Sequence, residues 1–466
     1  MAPMSGAYNP ELLDDFLPLY YGKLFPIDTF YKWITYADKS RGANREISFT
    51  LRDDVYIRFQ SFSSMQELQR ALKDKRPHKI DIGAVYNYNP KNHHEPSFGP
   101  IERELVFDID MTDYDDVRTC CQGAEICRSC WAFMTLAMKI LDRVLREDFG
   151  FKHILWVYSG RRGVHCWVCD ARARRLRAAA RAAIANYISL LKSQAQSSKK
   201  VSLFKSIHPS VRETLKIVKE YFPAIALQNQ KLLEGDKFWH DLVSASSDSS
   251  FKDDIEKSVL SQTSSEKRWE AFETIVEKQK STKYMFLLEE IMLELCYPRL
   301  DVAVTKGTQH LLKAPFSVHP KTGRVCVPID ITNVTAFDPF AVPTVSQLSN
   351  EIDEYDAQHK GDEAMDVGNP ALQEYKKTGL ASSVLLFQGF VDKICLAEAD
   401  VVIKKIASDI KHTVAASGSE QKQCHCHLLL LHRGVSAQAR IQELEISGAG
   451  LTRTPEAELR KWNWCE

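Results

Sequence analysis

The 466-residue sequence carries no net charge, because 61 Lys and Arg offset 61 Asp and Glu. That balance excludes a polybasic coat, so any polyanion must be held by a local basic pocket. No apolar run approaches the ~18 residues a membrane helix needs. Met1 to Pro26 contains acids and lacks a basic start followed by an apolar stretch, so it does not read as a secretory signal. No internal repeat is visible. The 12 cysteines are too few and too uneven for a disulfide scaffold. Reduced thiols are expected, and a tight cluster of them points to metal. What is present, 44% apolar and 26% charged residues, is an ordinary globular composition. The length suits about three domain-sized units. The expectation is a soluble intracellular protein with no membrane partner.

Hydrophobic spacing predicts a helix from Glu11 to about Ala37 and a β-hairpin over Glu46–Phe59 around an Asp-Asp turn. Lys79–Tyr86 and Glu104–Asp110 read as strands, and His153–Val168 as two strands joined by SGRRG. Ala171 to about Leu191 is Ala-rich and helical. From about 190 to 295 strand signals vanish, which predicts a helical insertion. Strands are expected again at Arg299–Thr305 and Arg324–Ile329. Asp353–Asn369 is acidic and aperiodic, the pattern of a disordered loop. The tail after about Thr413 follows no period, and its Cys424-His425-Cys426-His427 run lacks a second half, so it reads as accidental.

In Leu105–Asp110, strand alternation puts Val106, Asp108 and Asp110 on the face opposite Leu105, Phe107 and Ile109. Two ionised carboxylates at the end of an apolar strand are costly unless a cation neutralises them. Hard divalent ions do so, and a pair of them activates a hydroxyl while stabilising a leaving oxygen. Solvated acids at a strand end are the plainer alternative. A third acid, Asp301, sits in a strand-like setting, followed by Lys306, His310, Lys313 and His319. Acids for metal beside bases for phosphate are what nucleotide chemistry requires. A surface acid paired with a nearby base is the alternative for Asp301.

Ser159-Gly160-Arg161-Arg162-Gly163-Val164-His165 joins two apolar runs. Its glycines allow a sharp bend, while guanidiniums, hydroxyl, imidazole and backbone N–H groups suit a triphosphate. An exposed basic turn remains the other reading. Cys166 and Cys169 lie on a strand beside Trp167 and read as core thiols. Cys120, Cys121, Cys127 and Cys130 pack into eleven residues and match a closed structural Zn²⁺ site, against unligated thiols.

The blocks ELVFDIDMTDYDDVR, FGFKHILWVYSGRRGVHCWVCD and YPRLDVAVTKGTQHLLKAPFSVHPKTGRVCVPID closely resemble the small-subunit family of eukaryotic DNA primases. The likeness extends from about Leu12 to about Ile403, through YKWITYADK, REISFTLRDDVYIRFQSF, HKIDIGAVY and DPFAVPT. It fades in the helical region and the acidic loop and is lost in the tail. The resemblance implies Asp108, Asp110 and Asp301 as ligands of two Mg²⁺ or Mn²⁺ ions, and Glu46 as an acid needed for activity. It implies a triphosphate loop of Ser159, Gly160, Arg161, Arg162, Gly163, Val164 and His165. A second phosphate block falls on His310, Leu311, Leu312, Lys313 and His319. Zinc ligands match Cys120, Cys121, Cys127 and Cys130, while Arg58 and Asp81 would face the initiating nucleotide or its ribose.

The implied fold is α/β (α+β): a mixed-sheet primase core with an inserted α-helical subdomain and a small zinc knuckle. On this sequence the core takes 1–190, with the knuckle at 120–130, and 296–350. The helical subdomain takes 191–295, an acidic disordered loop 351–370 and a C-terminal helical segment 371–412, leaving 413–466 unassigned. The implied activity is synthesis of short RNA primers from ribonucleoside triphosphates on single-stranded DNA. The implied setting is nuclear, in a heterodimer with a large iron–sulfur primase subunit, docked to the catalytic and accessory subunits of DNA polymerase alpha. Two other readings remain: a self-sufficient primase-polymerase for damage tolerance, and a non-catalytic scaffold in a replication assembly.

Overall fold

Alternating apolar and polar residues build two sheets. In the computed structural model, which describes residues 8–191, 201–203, 206–279, 281–359 and 373–417, the strands in chain order are β1 (Arg45–Thr50), β2 (Tyr56–Gln60), β3 (Lys79–Tyr86), β4 (Pro100–Glu102), β5 (Leu105–Asp110), β6 (Ile154–Tyr158), β7 (Gly163–Val168), β8 (Leu312–Lys313) and β9 (Pro328–Ile329). The first sheet runs β2-β1-β3-β4 with β8 also against β3, and the second runs β5-β7-β6-β9. The pairings are antiparallel. The fold is α+β, as expected.

In the first sheet, Ile47, Phe49, Ile80, Ile82 and Ala84 are buried in the core. The opposite face carries Glu46 and Ser48 on β1 with Lys79 and Asp81 on β3. Asp53 and Asp54, both at φ 57, form the β1–β2 turn; short acidic side chains tolerate this left-handed backbone. In the second sheet, β6 and β7 are buried throughout, and Cys166 and Cys169 are core thiols. Trp167 meets Trp33 edge-on at 5.2 Å, and Trp33 meets Phe387 at 5.8 Å.

The single helix expected over Glu11–Ala37 is two. Leu13–Leu19 widens into a π-helical turn at Tyr20–Leu24, and a new helix runs over Ile27–Thr35. Pro26 causes the break, because it forces Phe25 out of the helical region. Between 206 and 296 the described residues form no strand. Helices Pro209–Phe222, Asp236–Ala245, Ser249–Asp254, Ser265–Lys278 and Leu287–Cys296 fill that stretch, with Trp239 and Phe251 both packed on Phe272.

Three expectations are corrected. Arg299–Thr305 is not a strand: Asp301 caps a short helix, Val302–Lys306, by accepting from the N–H groups of Ala303 and Val304. A side-chain cap beats apolar alternation there. Of Arg324–Ile329 only Pro328–Ile329 is strand, although Val325 bridges Val318. The acidic segment 351–370 begins as helix, since Thr344 caps Val345–Gln358 in a capping box with Gln347. Its remainder from 360 lies outside the described residues. Helix Ala381–Ser417 enters the tail, and Cys424–His427 lies outside the described residues. The chain divides into two units, Met1–Val391 and Asp392–Glu466. Among the described residues no helix is long and apolar enough to cross a membrane.

Candidate active site

Where the polar face of the first sheet approaches the open edge of the second, they enclose a cavity of about 270 Å³. Lys79 and Asp81 line it from β3, and Asp108 and Asp110 from β5. The β6–β7 turn supplies Ser159, Arg161, Arg162, Gly163 and His165. His310, Leu311, Leu312, Lys313 and His319 complete it. Strand register makes these groups meet: Asp108 pairs with His165 across β5–β7, and Asp81 pairs with Lys313 across β3–β8.

The β6–β7 turn is held from several sides. Gly163 N–H donates to Ser159 Oγ at 3.0 Å, Tyr158 Oη to the Arg161 carbonyl at 2.9 Å, and Lys313 Nζ to the Ser159 carbonyl at 3.1 Å. Gly160 sits at φ 86, and a Cβ there would lie 2.7 Å from His319 Cβ, so both the bend and the close approach require glycine. Burial first, then Lys313, lower both His165 and His319 to about 3. Both imidazoles are therefore neutral at physiological pH. The His165 Nε2 contact with Asp108 at 3.6 Å is then no ion pair. Among the described residues each ring's buried Nδ1 has no hydrogen-bond partner, which suits an incoming polar ligand such as a phosphate oxygen.

Burial, then the charges of Asp110 and Asp301, push the Asp108 carboxyl up to about 6. Burial also works on Asp110, but the Thr112 N–H, Arg162 and the Thr112 hydroxyl outweigh it and hold this group below the usual carboxylate range. Arg162 Nε donates to both Asp110 oxygens, at 2.7 and 2.9 Å. Asp301 is tied to β5 through its own N–H, which donates to the Asp108 carbonyl at 3.2 Å. Mutual repulsion among three acids is what a divalent cation relieves, so the donor set fits Mg²⁺ or Mn²⁺. Their oxygens are not gathered for one ion, however. Among the described residues the four cysteines are the only group of three or more metal-ligating side chains whose donor atoms lie within 4.8 Å of one another. Arg162 occupies Asp110, and the Asp301 Oδ1 caps its helix.

Five expected site residues are not among those lining the cavity: Gly160 within the β6–β7 turn, Asp301 beside the Asp108 backbone, Val164, Glu46 and Arg58. Val164 is fully buried between Ile109 and Tyr158. Glu46 is buried and pairs with Arg58 at 3.0 Å. Sequence reading missed Lys79, although its position two residues before Asp81 on a strand put it on the same face. It also missed a buried network behind the phosphate block. Glu104 accepts from Arg45 at 2.9 and 3.0 Å and from Arg103 at 2.9 Å, while Arg103 Nη2 donates to the His310 carbonyl at 3.1 Å. Burial opposes it, but Arg45 and Arg103 hold the Glu104 carboxyl well below the usual range.

Cys120, Cys121, Cys127 and Cys130 converge although two are adjacent. Burial pushes the Cys121 thiol to about 12 and Cys130 to about 11. Burial acts the same way on Cys127, but hydrogen bonds from Cys130, Cys120 and Cys121 bring it to about 7. Gln230 clamps the turn from the helical region: its Oε1 accepts from Thr119 N–H at 2.8 Å and its Nε2 donates to Cys120 Sγ at 3.3 Å. Four sulfurs at this spacing fit a closed tetrahedral zinc site.

The family described as DNA primase small subunit matches over residues 107–331. Curated relatives, each a DNA primase small subunit, include that of Drosophila melanogaster, 43% identical over 83% of this chain and 93% of its own. That of Schizosaccharomyces pombe is 38% identical over 77% and 82%, and that of Saccharomyces cerevisiae 39% over 72% and 84%. Among solved structures, the polymerase domain of Mycobacterium tuberculosis ligase D in complex with DNA aligns at a TM-score of 0.33 and 12% identity, over 77% of this chain and 93% of that one.

Proposed function

Because the chain belongs to the DNA primase small subunit family and is a primase, a nucleotidyltransferase of DNA replication, we propose that it joins ribonucleotides into short RNA primers on single-stranded DNA at the cavity between its two sheets. The observation that carries this reading is the facing of Asp108 and Asp110 by Arg161, Arg162, Lys313 and two neutral histidines across one cavity. Asp108, Asp110 and Asp301 would hold divalent Mg²⁺ or Mn²⁺, which when bound lower the pKa of the primer 3′-hydroxyl and offset charge at the α-phosphate.

Arg161, Arg162 and Lys313 bind the β- and γ-phosphates by charge-assisted hydrogen bonds. His165 and His319 present uncharged imidazole edges, so they orient phosphate oxygens without competing for the acids. Asp81, beside Lys79 at 3.0 Å, faces the ribose of the nucleotide. Fixed in this way, the triphosphate is held for in-line attack, and the departing pyrophosphate leaves among cations. Cys120, Cys121, Cys127 and Cys130 would hold a structural Zn²⁺, in a turn that Gln230 fastens by hydrogen bonds to Thr119 and Cys120.

With no net charge and hence no basic coat, the chain alone neutralises few template phosphates and grips template weakly. A large iron–sulfur primase subunit supplies the missing grip, within a nuclear assembly with DNA polymerase alpha and its accessory subunit. The test is primer synthesis on an unprimed single-stranded template with ribonucleotides and Mn²⁺, with and without the large subunit. Ribonucleotide primers that lengthen when the large subunit is added support the reading. Equal use of deoxynucleotides without any partner would favour a self-sufficient primase-polymerase, and no incorporation would leave a scaffold.

A further inference from the structure

Glu46 does not line the nucleotide cavity; its carboxylate accepts a long bond from its neighbour Ser48 Oγ at 3.5 Å and otherwise serves one small cluster beside the cavity. Oε1 accepts from Arg58 Nε at 3.0 Å and from the Phe59 N–H at 3.3 Å; Oε2 accepts from Arg58 Nη2 at 3.3 Å and Tyr86 Oη at 3.1 Å. Arg58 and Phe59 together stand opposite Ser48, because the β1–β2 register shifts between the Ile47↔Gln60 and Phe49↔Ile57 pairs. Such a bulge re-aims side chains beside functional sites. Phe59 has φ 57, a left-handed conformation that is costly for a non-glycine residue and is kept where something over-determines it.

What the bulge achieves is a column of flat groups. The Arg58 guanidinium lies 4.7 Å from the centroid of the Phe59 ring. The His93 ring stacks on Phe59 at 4.1 Å with 4° between planes, and the His94 ring lies 3.8 Å from His93, tilted by 44°. Phe98 stacks on Tyr86 at 4.2 Å and meets Phe59 edge-on. The column ends in solvent: His94 is exposed and the Arg58 side chain is 37% exposed. It also lies on the face that reaches the nucleotide. Ser48 pairs with Asp81, and a Cβ on Gly83 would touch both Glu46 Oε2 at 2.8 Å and the cavity-lining Leu311 Cδ2 at 2.9 Å.

We propose that Arg58, Phe59, His93 and His94 form a stacking platform for an unpaired base of a single-stranded polynucleotide entering the cavity, with Glu46 as its positioning residue. The proposal rests on the primase reading above, since it supplies the strand that such a reading requires. The chemistry is that of sequence-tolerant single-strand binding: an aromatic face for the base and a guanidinium for the adjacent phosphate. It accounts for local strand contact in a chain with no basic coat.

The experiment measures binding of a fluorescent oligothymidylate by anisotropy, and separately binding of a ribonucleoside triphosphate. A His93→Ala/His94→Ala protein changes only the loop between β3 and β4. Its oligothymidylate Kd should rise about tenfold through loss of base stacking, with triphosphate affinity unchanged. Glu46→Gln should weaken oligothymidylate in the same way, and His94→Trp should tighten it, an effect no purely structural role produces. Unchanged oligothymidylate affinity in the double variant, or no gain with His94→Trp, overturns the platform. Failure of the wild-type chain to incorporate ribonucleotides would instead strike the primase reading, and these binding measurements do not depend on that outcome.

Discussion

Replacing Arg162 with glutamine removes the cation that Asp110 now holds, and the consequences for metal and for nucleotide have opposite sign. In the chain alone Arg162 Nε lies 2.7 and 2.9 Å from the two Asp110 oxygens. A divalent ion must displace this contact before Asp110 can serve it. Hydrogen bonds between charged groups contribute about 1.5–3 kcal/mol. The side chains are 30% and 35% exposed, so solvent screening reduces the net value to about 1–2 kcal/mol. At 1.4 kcal/mol per tenfold, Arg162→Gln should tighten Mn²⁺ binding without nucleotide by about 5–30-fold. In primer synthesis the same variant should raise the nucleotide KM roughly tenfold, because a charge-assisted phosphate contact is lost. Electron paramagnetic resonance of free Mn²⁺ reads the first effect and steady-state kinetics the second. Unchanged or weaker Mn²⁺ binding by the variant would refute the competition.

Asp108→Ala combined with Asp110→Ala should abolish dinucleotide synthesis while zinc content and melting temperature stay near wild type; persistent synthesis would contradict the metal-ligand role. Replacing Cys127 and Cys130 with serine should release zinc, measured by atomic absorption, and lower the melting temperature before it alters chemistry. Loss of catalysis at unchanged stability would argue against a structural cluster. Glu104→Gln leaves Arg45 and Arg103 buried without their counter-charge and should cost about 3–5 kcal/mol near neutral pH. Because the folded Glu104 pKa lies below the unfolded value of about 4.3, its stabilisation is complete above that pH and fades as pH falls. Urea denaturation should therefore show the gap between wild type and variant narrowing below about pH 4, and a gap independent of pH would count against the ion-pair account.

The parts of this molecule that the sequence made legible are those governed by local rules. Alternation located β3 and β5, and glycines flanking two arginines located the β6–β7 turn, because strand period and turn chemistry act within a few residues. Misreadings arose where a single polar group overrode the apolar pattern, as when Asp301 turned an alternating segment into a capped helix. Pro26 did the same to the long N-terminal helix. The Glu104 network was invisible for a different reason: Arg103 meets the His310 carbonyl across 207 positions, and no local pattern announces such a partner. Glu46 was recognised as special through resemblance alone. Its carboxylate accepts hydrogen bonds from Arg58, Phe59 and Tyr86 instead of lining the cavity.

Anomalous scattering from Mn²⁺ in crystals grown with a non-hydrolysable ribonucleoside triphosphate would locate the metal relative to the three aspartates. Peaks bounded by Asp108, Asp110 and Asp301 are expected, with Arg162 turned from Asp110 to the phosphates. Manganese bound away from Asp301, or triphosphate bound with Arg162 still on Asp110, would contradict this arrangement.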